Sequence, residues 1–134
     1  PNKYYYTDIG LRNARLNYRQ YDPGHIMENI IYNELLRRGY SVDVGVVTDR
    51  AGGAKVQKEI DFVVNDADKK IYIQSAFRMD TDKKESSELA SLTLTKDFFK
   101  KIIVRMDIPH SFYDDKGIFH CNMIDLLLDR VELF

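Results

Sequence analysis

Between residues 25 and 38 the apolar positions Ile26, Met27, Ile30, Ile31, Leu35 and Leu36 recur at three- and four-residue spacings, which predicts a helix over that stretch. Arg37 and Arg38 near its negative end and Gly39 as its stop fit the same reading. The period then drops to two: Val42, Val44 and Val46 alternate with Ser41, Asp43 and Gly45, which predicts a strand over 40–48. Residues 59–64 and 71–77 read as two more strands joined by a polar turn at 65–70, as in a hairpin. Ile102-Ile103-Val104 marks a buried strand within 98–106. Thr7-Asp8 is expected to cap a short helix through Leu11 and Ala14, and Thr81-Asp82 a helix running toward Leu94. An edge strand at 117–121 and a last helix at 122–129 complete the pattern, with a turn at Asp22-Pro23-Gly24 and a flexible connection over 49–58. This order predicts an α/β fold in which helices flank a mixed central sheet.

With 134 residues, 44% hydrophobic and 31% charged, the chain is expected to form one packed domain, 1–134. No apolar run reaches the roughly 20 residues a membrane helix needs, so no membrane partner is expected. The single cysteine, Cys121, argues against a disulfide or a cysteine-built zinc site and fits a reducing cytoplasm. A net charge of −1 means that any attraction to nucleic acid has to be local. The start at Pro1, already in an aromatic-rich segment, suggests a domain cut from a longer protein.

Glu28 lies in the apolar stripe of the first long helix, because the residues three, four and seven positions on are Ile31, Tyr32 and Leu35. A carboxylate so placed needs a metal, a cation or hydrogen-bond donors. On strict alternation, Ile60, Phe62 and Val64 share one face of their strand and Glu59, Asp61 and Val63 the other; in the next strand Tyr72, Gln74, Ala76 and Arg78 align. A helix Glu, a strand Asp and a following strand ending in Glu-x-Lys is how PD-(D/E)XK nucleases assemble an Mg²⁺ site, and Glu28, Asp61 and Gln74-Ser75-Ala76 resemble that pattern. More closely, residues 3–12, 26–36, 59–64 and 72–77, with Leu126-Leu127-Leu128, resemble the C-terminal nuclease-like domain of unknown function that follows the ATPase core in a family of prokaryotic AAA+-type ATPases. The resemblance implies a restriction-endonuclease-like sheet and a parent chain whose other part binds ATP and serves as this domain's partner.

Where that pattern has an acid and a lysine, this chain has Gln74 and Ala76. One ligand loses its charge and the ammonium is missing, so a non-catalytic accessory domain is expected, with Glu28, Asp61, Gln74 and Ala76 as remnants of the site. The alternatives are an Mg²⁺-dependent nuclease or junction resolvase, with Glu28, Asp61 and Gln74 as ligands, and a pure protein-interaction module. For Glu28 the ordinary reading is an ion pair with an arginine such as Arg12, or caps on local backbone donors. Tyr4, Tyr5, Tyr6, Tyr18 and Tyr21 interleave with Arg12, Arg15 and Arg19. That segment suits core packing and docking, or stacking on bases with phosphate contacts, and Arg78 is a further phosphate candidate. Ala51-Gly52-Gly53-Ala54-Lys55 lacks the strand and helix context of a P-loop, so this domain is not expected to bind ATP itself. His120 and Cys121, adjacent on a strand, point to opposite faces and form no dyad.

Overall fold

The computed structural model describes residues 2–19 and 21–134; Pro1, and Gln20 within the Tyr/Arg segment, lie outside them. Among the described residues four α-helices, α1 (Ile9–Arg15), α2 (Pro23–Arg37), α3 (Asp82–Thr93) and α4 (Met123–Leu127), accompany six strands. The strands are β1 (Ser41–Asp49), β2 (Val56–Asp66), β3 (Lys69–Ala76), β4 (Lys100–Arg105), β5 (Phe112–Tyr113) and β6 (Phe119–Asn122). They form one mixed sheet in the order β1-β2-β3-β4-β6-β5. β1, β2 and β3 are antiparallel neighbours, β3, β4 and β6 run parallel, and β5 returns antiparallel to β6. The crossover between the parallel strands β3 and β4 contains α3, the connection such a pair requires.

Three layers result because alternate residues of the central strands meet different helices. Ile71, Ile73, Ile102, Val104 and Cys121 pack with Met27, Ile31 and Leu35 of α2. Ala76 and Ile103 pack with Leu89 and Leu92 of α3. Fully burying each large aliphatic side chain contributes roughly 1.5–3 kcal/mol, so the α2 stripe alone explains why that helix is held on the sheet.

Several boundaries differ from the sequence reading. The predicted turn at Asp22-Pro23-Gly24 is the first turn of α2: Asp22 accepts hydrogen bonds from the Gly24 and His25 amides, and Pro23 sits where a missing N–H is harmless. The connection expected over 49–58 is shorter than that: Asp49 pairs with Val56, so the strands run to either side of a six-residue turn, 50–55, in which Gly52 and Gly53 are at positive φ. β6 is not an edge, because the two-residue β5, too short to show a period, pairs outside it. β3 ends at Ala76, so Arg78 does not continue the face of Gln74; it is exposed, with its guanidinium over the Phe77 ring at 5.4 Å. Among the described residues no helix is long and apolar enough to cross a membrane.

The largest departure is in β2. Asp43 of β1 pairs with Val63 but Gly45 pairs with Ile60, so Asp61 and Phe62 together face the single residue Val44. This is a β-bulge, and it reverses the alternation. Phe62 and Val64 join the α2 core while Ile60 joins the α3 core, so the three do not share a face. The same reversal carries Asp61 and Glu59 to the side where Glu28 lies. Gly45 permits it: a Cβ there would stand 2.7 Å from Val63 Cγ2 and 3.2 Å from Ile60 Cβ.

At the far end of the parallel strands Arg105 makes a two-pronged pair with Asp107 (2.8 and 2.9 Å) and donates to His120 Nδ1 (3.1 Å), whose Nε2 donates to Asp114 (2.9 Å). The Arg105 guanidinium, with the Met79 amide, holds the Asp107 carboxyl down at about 2. A carboxyl whose folded value lies below its unfolded one stabilises above the unfolded value and loses that contribution as pH falls. Asp107→Asn is therefore expected to cost about 1 kcal/mol at pH 7, an allowance for solvent screening included, and the gap to wild type should close between pH 4 and 2 in urea titrations. Gly45→Ala is expected to destabilise by about 1–3 kcal/mol in the same assay, the usual cost of overpacking, by pressing on the bulge.

Candidate functional site

β2 and β3 part company at the bulge. Their regular pairing stops at Phe62 and Ile73, which leaves main-chain groups on both strands to be satisfied by side chains. Asp61 Oδ2 accepts the Ser75 amide at 2.9 Å, and Gln74 Oε1 accepts the Asp61 amide at 3.1 Å. Gln74 Nε2 donates to Glu88 of α3 at 3.1 Å. Gln74 is thus a bracket across the split: the carbonyl oxygen expected to face a metal is spent on the backbone of Asp61. Ala76 is buried against α3.

Asp61 Oδ1 points the other way, toward Glu28 on α2. Both are met by the ammonium of Lys3, from the extended segment before α1. Its Nζ stands 2.8 Å from Glu28 Oε1, 2.6 Å from Glu59 Oε1 and 2.9 Å from Asp61 Oδ1. Tyr5 Oη donates to the same Glu28 oxygen at 2.6 Å, and its ring stacks on Tyr32 of α2 at 4.2 Å. The Asn29 side chain accepts the Tyr6 amide and donates to the Tyr6 carbonyl, and Asn33 donates to that carbonyl too, so the segment is fixed along α2 by its backbone as well.

Two expectations are corrected here. Glu28 pairs with Lys3 and Tyr5, not with Arg12. The ammonium missing at residue 76 is also not missing from the site; it arrives from a different part of the chain. Local pattern gave no warning of this, because Lys3 lies 25 residues from Glu28 and 58 from Asp61. A lysine beside three tyrosines, in a chain with an acid inside an apolar stripe, was the available signal.

The electrostatics follow from crowding three carboxylates in a partly dry place. Burial would push the Lys3 ammonium down, but its bonds to Glu28, Glu59 and Asp61 prevail and hold it well above its ordinary range. A lysine held so firmly protonated is no general base. Burial, with the charge of Glu28 behind it, pushes the Asp61 carboxyl up against the opposing pull of the Ser75 amide and Lys3. Burial and the hydrogen bond to Glu28 likewise raise the Tyr5 phenol. Carboxylate oxygens are the donors Mg²⁺ prefers. Here, however, the point that Glu28, Glu59 and Asp61 share is taken by Nζ and the Gln74 carbonyl is turned away, so the residues as arranged do not fit that ion.

The site opens into a cleft of about 520 Å³ lined by Lys3, Tyr4, Tyr5, Arg12, His25 and Asn29 with the three acids. A smaller cleft of about 290 Å³ on the other side of Glu28 and Asp61 reaches Gln74, Lys84 and Glu88. Arg12 therefore lines the main cleft, Arg15 and Arg19 are exposed on and just beyond α1, and Arg78 lines neither cleft. Of the five tyrosines in the segment, Tyr4, Tyr18 and Tyr21 face solvent, whereas Tyr5 and Tyr6 are held against α2. Cys121 is buried, with its thiol raised to about 11 by that burial, and does not face His120, which sits against Arg105 and Phe112.

Removing the charge of Lys3 strands the three acids. Lys3→Met is expected to cost about 1–3 kcal/mol at pH 7, less than the loss of one partner of a fully buried ion pair because the cluster is only part-buried. The cost should shrink as pH falls and the carboxylates take up protons, and Asp61→Asn in the same background should restore part of it. Urea midpoints at pH 7 and 4.5 measure all three.

A family model described as "Domain of unknown function (DUF4143)" matches residues 23–119. An uncharacterized protein of Haemophilus influenzae (strain ATCC 51907 / DSM 11121 / KW20 / Rd) is 38% identical over 102 residues, which are 76% of this chain and 23% of that protein. The chain thus spans under a quarter of that relative's length. No solved structure matches it.

Proposed function

This chain belongs to the DUF4143 family, described as a domain of unknown function, and from that footing we propose that it is a non-catalytic accessory domain whose nuclease-like acidic centre is closed by its own lysine. The supporting observation is the Lys3 ammonium within 2.9 Å of Glu28, Glu59 and Asp61. Hydrolysis of a phosphodiester needs an activated water and a cation on the phosphate. In this site the Lys3 ammonium is held protonated by the acids, and the acids are spent on it. Attachment to an AAA+-type ATPase and a restriction-endonuclease-like ancestry for the sheet are part of the same proposal. The motif order along the first 77 residues supports both, and the much longer Haemophilus relative is compatible with a multidomain parent.

A second reading, a Mg²⁺-dependent nuclease or junction resolvase, draws on the same geometry: Lys3 restores, from another direction, the ammonium that Ala76 lacks. Incubating the domain with labelled single-stranded, duplex and branched DNA plus Mg²⁺ or Mn²⁺ separates the two. No cleavage is expected, in wild type or in Lys3→Met. Metal-dependent cleavage abolished by Asp61→Asn would establish the second reading instead.

A further inference from the structure

Arg12 is the anomaly of the cleft. It is only 9% exposed, yet among the described residues its guanidinium makes one side-chain hydrogen bond, to Asn13 Oδ1 at 3.1 Å, and no ion pair. Buried arginines are ordinarily matched to a carboxylate, because a desolvated charge is costly without one. Three carboxylates lie in the same cleft, but they are gathered on Lys3, and none comes within ion-pair distance of Arg12. A planar cation with most of its five donors unspent, set in the wall of an open cleft, is equipment for an oxyanion.

What surrounds it narrows the class. The Tyr4 ring lines the same cleft and is 82% exposed, supported by a backbone that Lys3 and Tyr5 pin on either side. Arg15 and Arg19 follow Arg12 along the chain, exposed and without an ion pair among the described residues. Tyr18 and Tyr21, near Arg19 in the sequence, are 76% and 77% exposed. Guanidinium groups alternating with solvent-facing rings suit a phosphodiester backbone whose bases are free to stack. A duplex keeps its bases stacked on one another and offers Tyr4 none.

We propose that this cleft mouth is a binding subsite for single-stranded nucleic acid, with Arg12 holding a phosphate oxygen, Tyr4 stacking on the adjoining base, and Arg15 and Arg19 following the backbone outward. The proposal rests on the accessory-domain reading and gives it a partner. It places the contact on the α1 side of Lys3, away from the acids gathered on that ammonium.

Anisotropy of a labelled oligo-dT and of a matched duplex, titrated with the whole chain at 50 and 200 mM salt, tests it. The single strand is expected to bind more tightly than the duplex and to weaken with salt. Tyr4→Ala should weaken single-strand binding roughly tenfold while Tyr4→Phe leaves it unchanged, since one stacked base is worth about that much. Arg12→Gln should weaken it further, with circular dichroism confirming the fold. Equal affinity for duplex, indifference to Tyr4→Ala, or displacement by polyglutamate as readily as by unlabelled oligo-dT would overturn the proposal, the last in favour of an acidic protein partner. The same samples with Mg²⁺ keep the two readings apart. A bound, intact oligonucleotide supports both; a bound and cleaved one defeats the accessory reading alone; and no binding defeats the subsite alone.

Discussion

One requirement organises the molecule's functional end: carboxylates withdrawn from water need a counter-charge. Glu28 is brought inward by its helix and Asp61 by the bulge in β2, so two acids from distant parts of the chain face each other with Glu59 at their edge. Their mutual repulsion in a partly dry place is relieved by the ammonium of Lys3, and the segment that carries it is tied down in consequence. Tyr5 stacks on Tyr32, and the Tyr6 backbone is read by Asn29 and Asn33. The N-terminal segment is therefore part of the fold for an electrostatic reason, and among its described residues no sheet pairing holds it.

The bulge is the mechanical counterpart of that requirement. By inserting one residue opposite Val44, it splits β2 from β3 and frees main-chain donors that only side chains can satisfy. Asp61 takes the Ser75 amide with one oxygen and Lys3 with the other, and Gln74 takes the Asp61 amide in return. Each of these side chains thus has a structural task that would persist without chemistry. A glutamate in place of Gln74 would offer the same oxygen to the Asp61 amide but add a fourth negative charge and lose the donor that meets Glu88. The amide suits a centre that a single ammonium has to balance.

The charge of the cleft is consequently divided. On the α2 and β2 side the acids and Lys3 are closed on one another; on the α1 side Arg12 has no carboxylate to balance it among the described residues. This asymmetry is what directs the proposed function away from the acidic centre and toward the Tyr/Arg surface, which on composition alone shows an excess of only two basic residues over residues 1–38. An excess of that size becomes meaningful because Arg12 lines the cleft, and Arg15 and Arg19, which follow it along the chain, are exposed, all three without an ion pair among the described residues.

The amino-acid sequence by itself determined the features set by short-range periodicity. The 3.6-residue stripe placed Glu28 inside α2, the two-residue alternation located β1, the hairpin pattern over 59–77 located β2 and β3, the Ile102-Ile103-Val104 run located β4, and polar caps at Asp8 and Thr81 started α1 and α3. The resemblance to the PD-(D/E)XK pattern grouped Glu28, Asp61 and Gln74, which line one cleft in the structure. Only the tertiary structure decided the rest. A bulge shifts the period by one without any unusual residue inside it, its sole trace being a glycine on the neighbouring strand. β5 is shorter than any period. The partner of the buried acids is a lysine 58 residues from Asp61, and long-range charge pairing leaves no local pattern, because it is fixed by which surfaces the packed core happens to bring together.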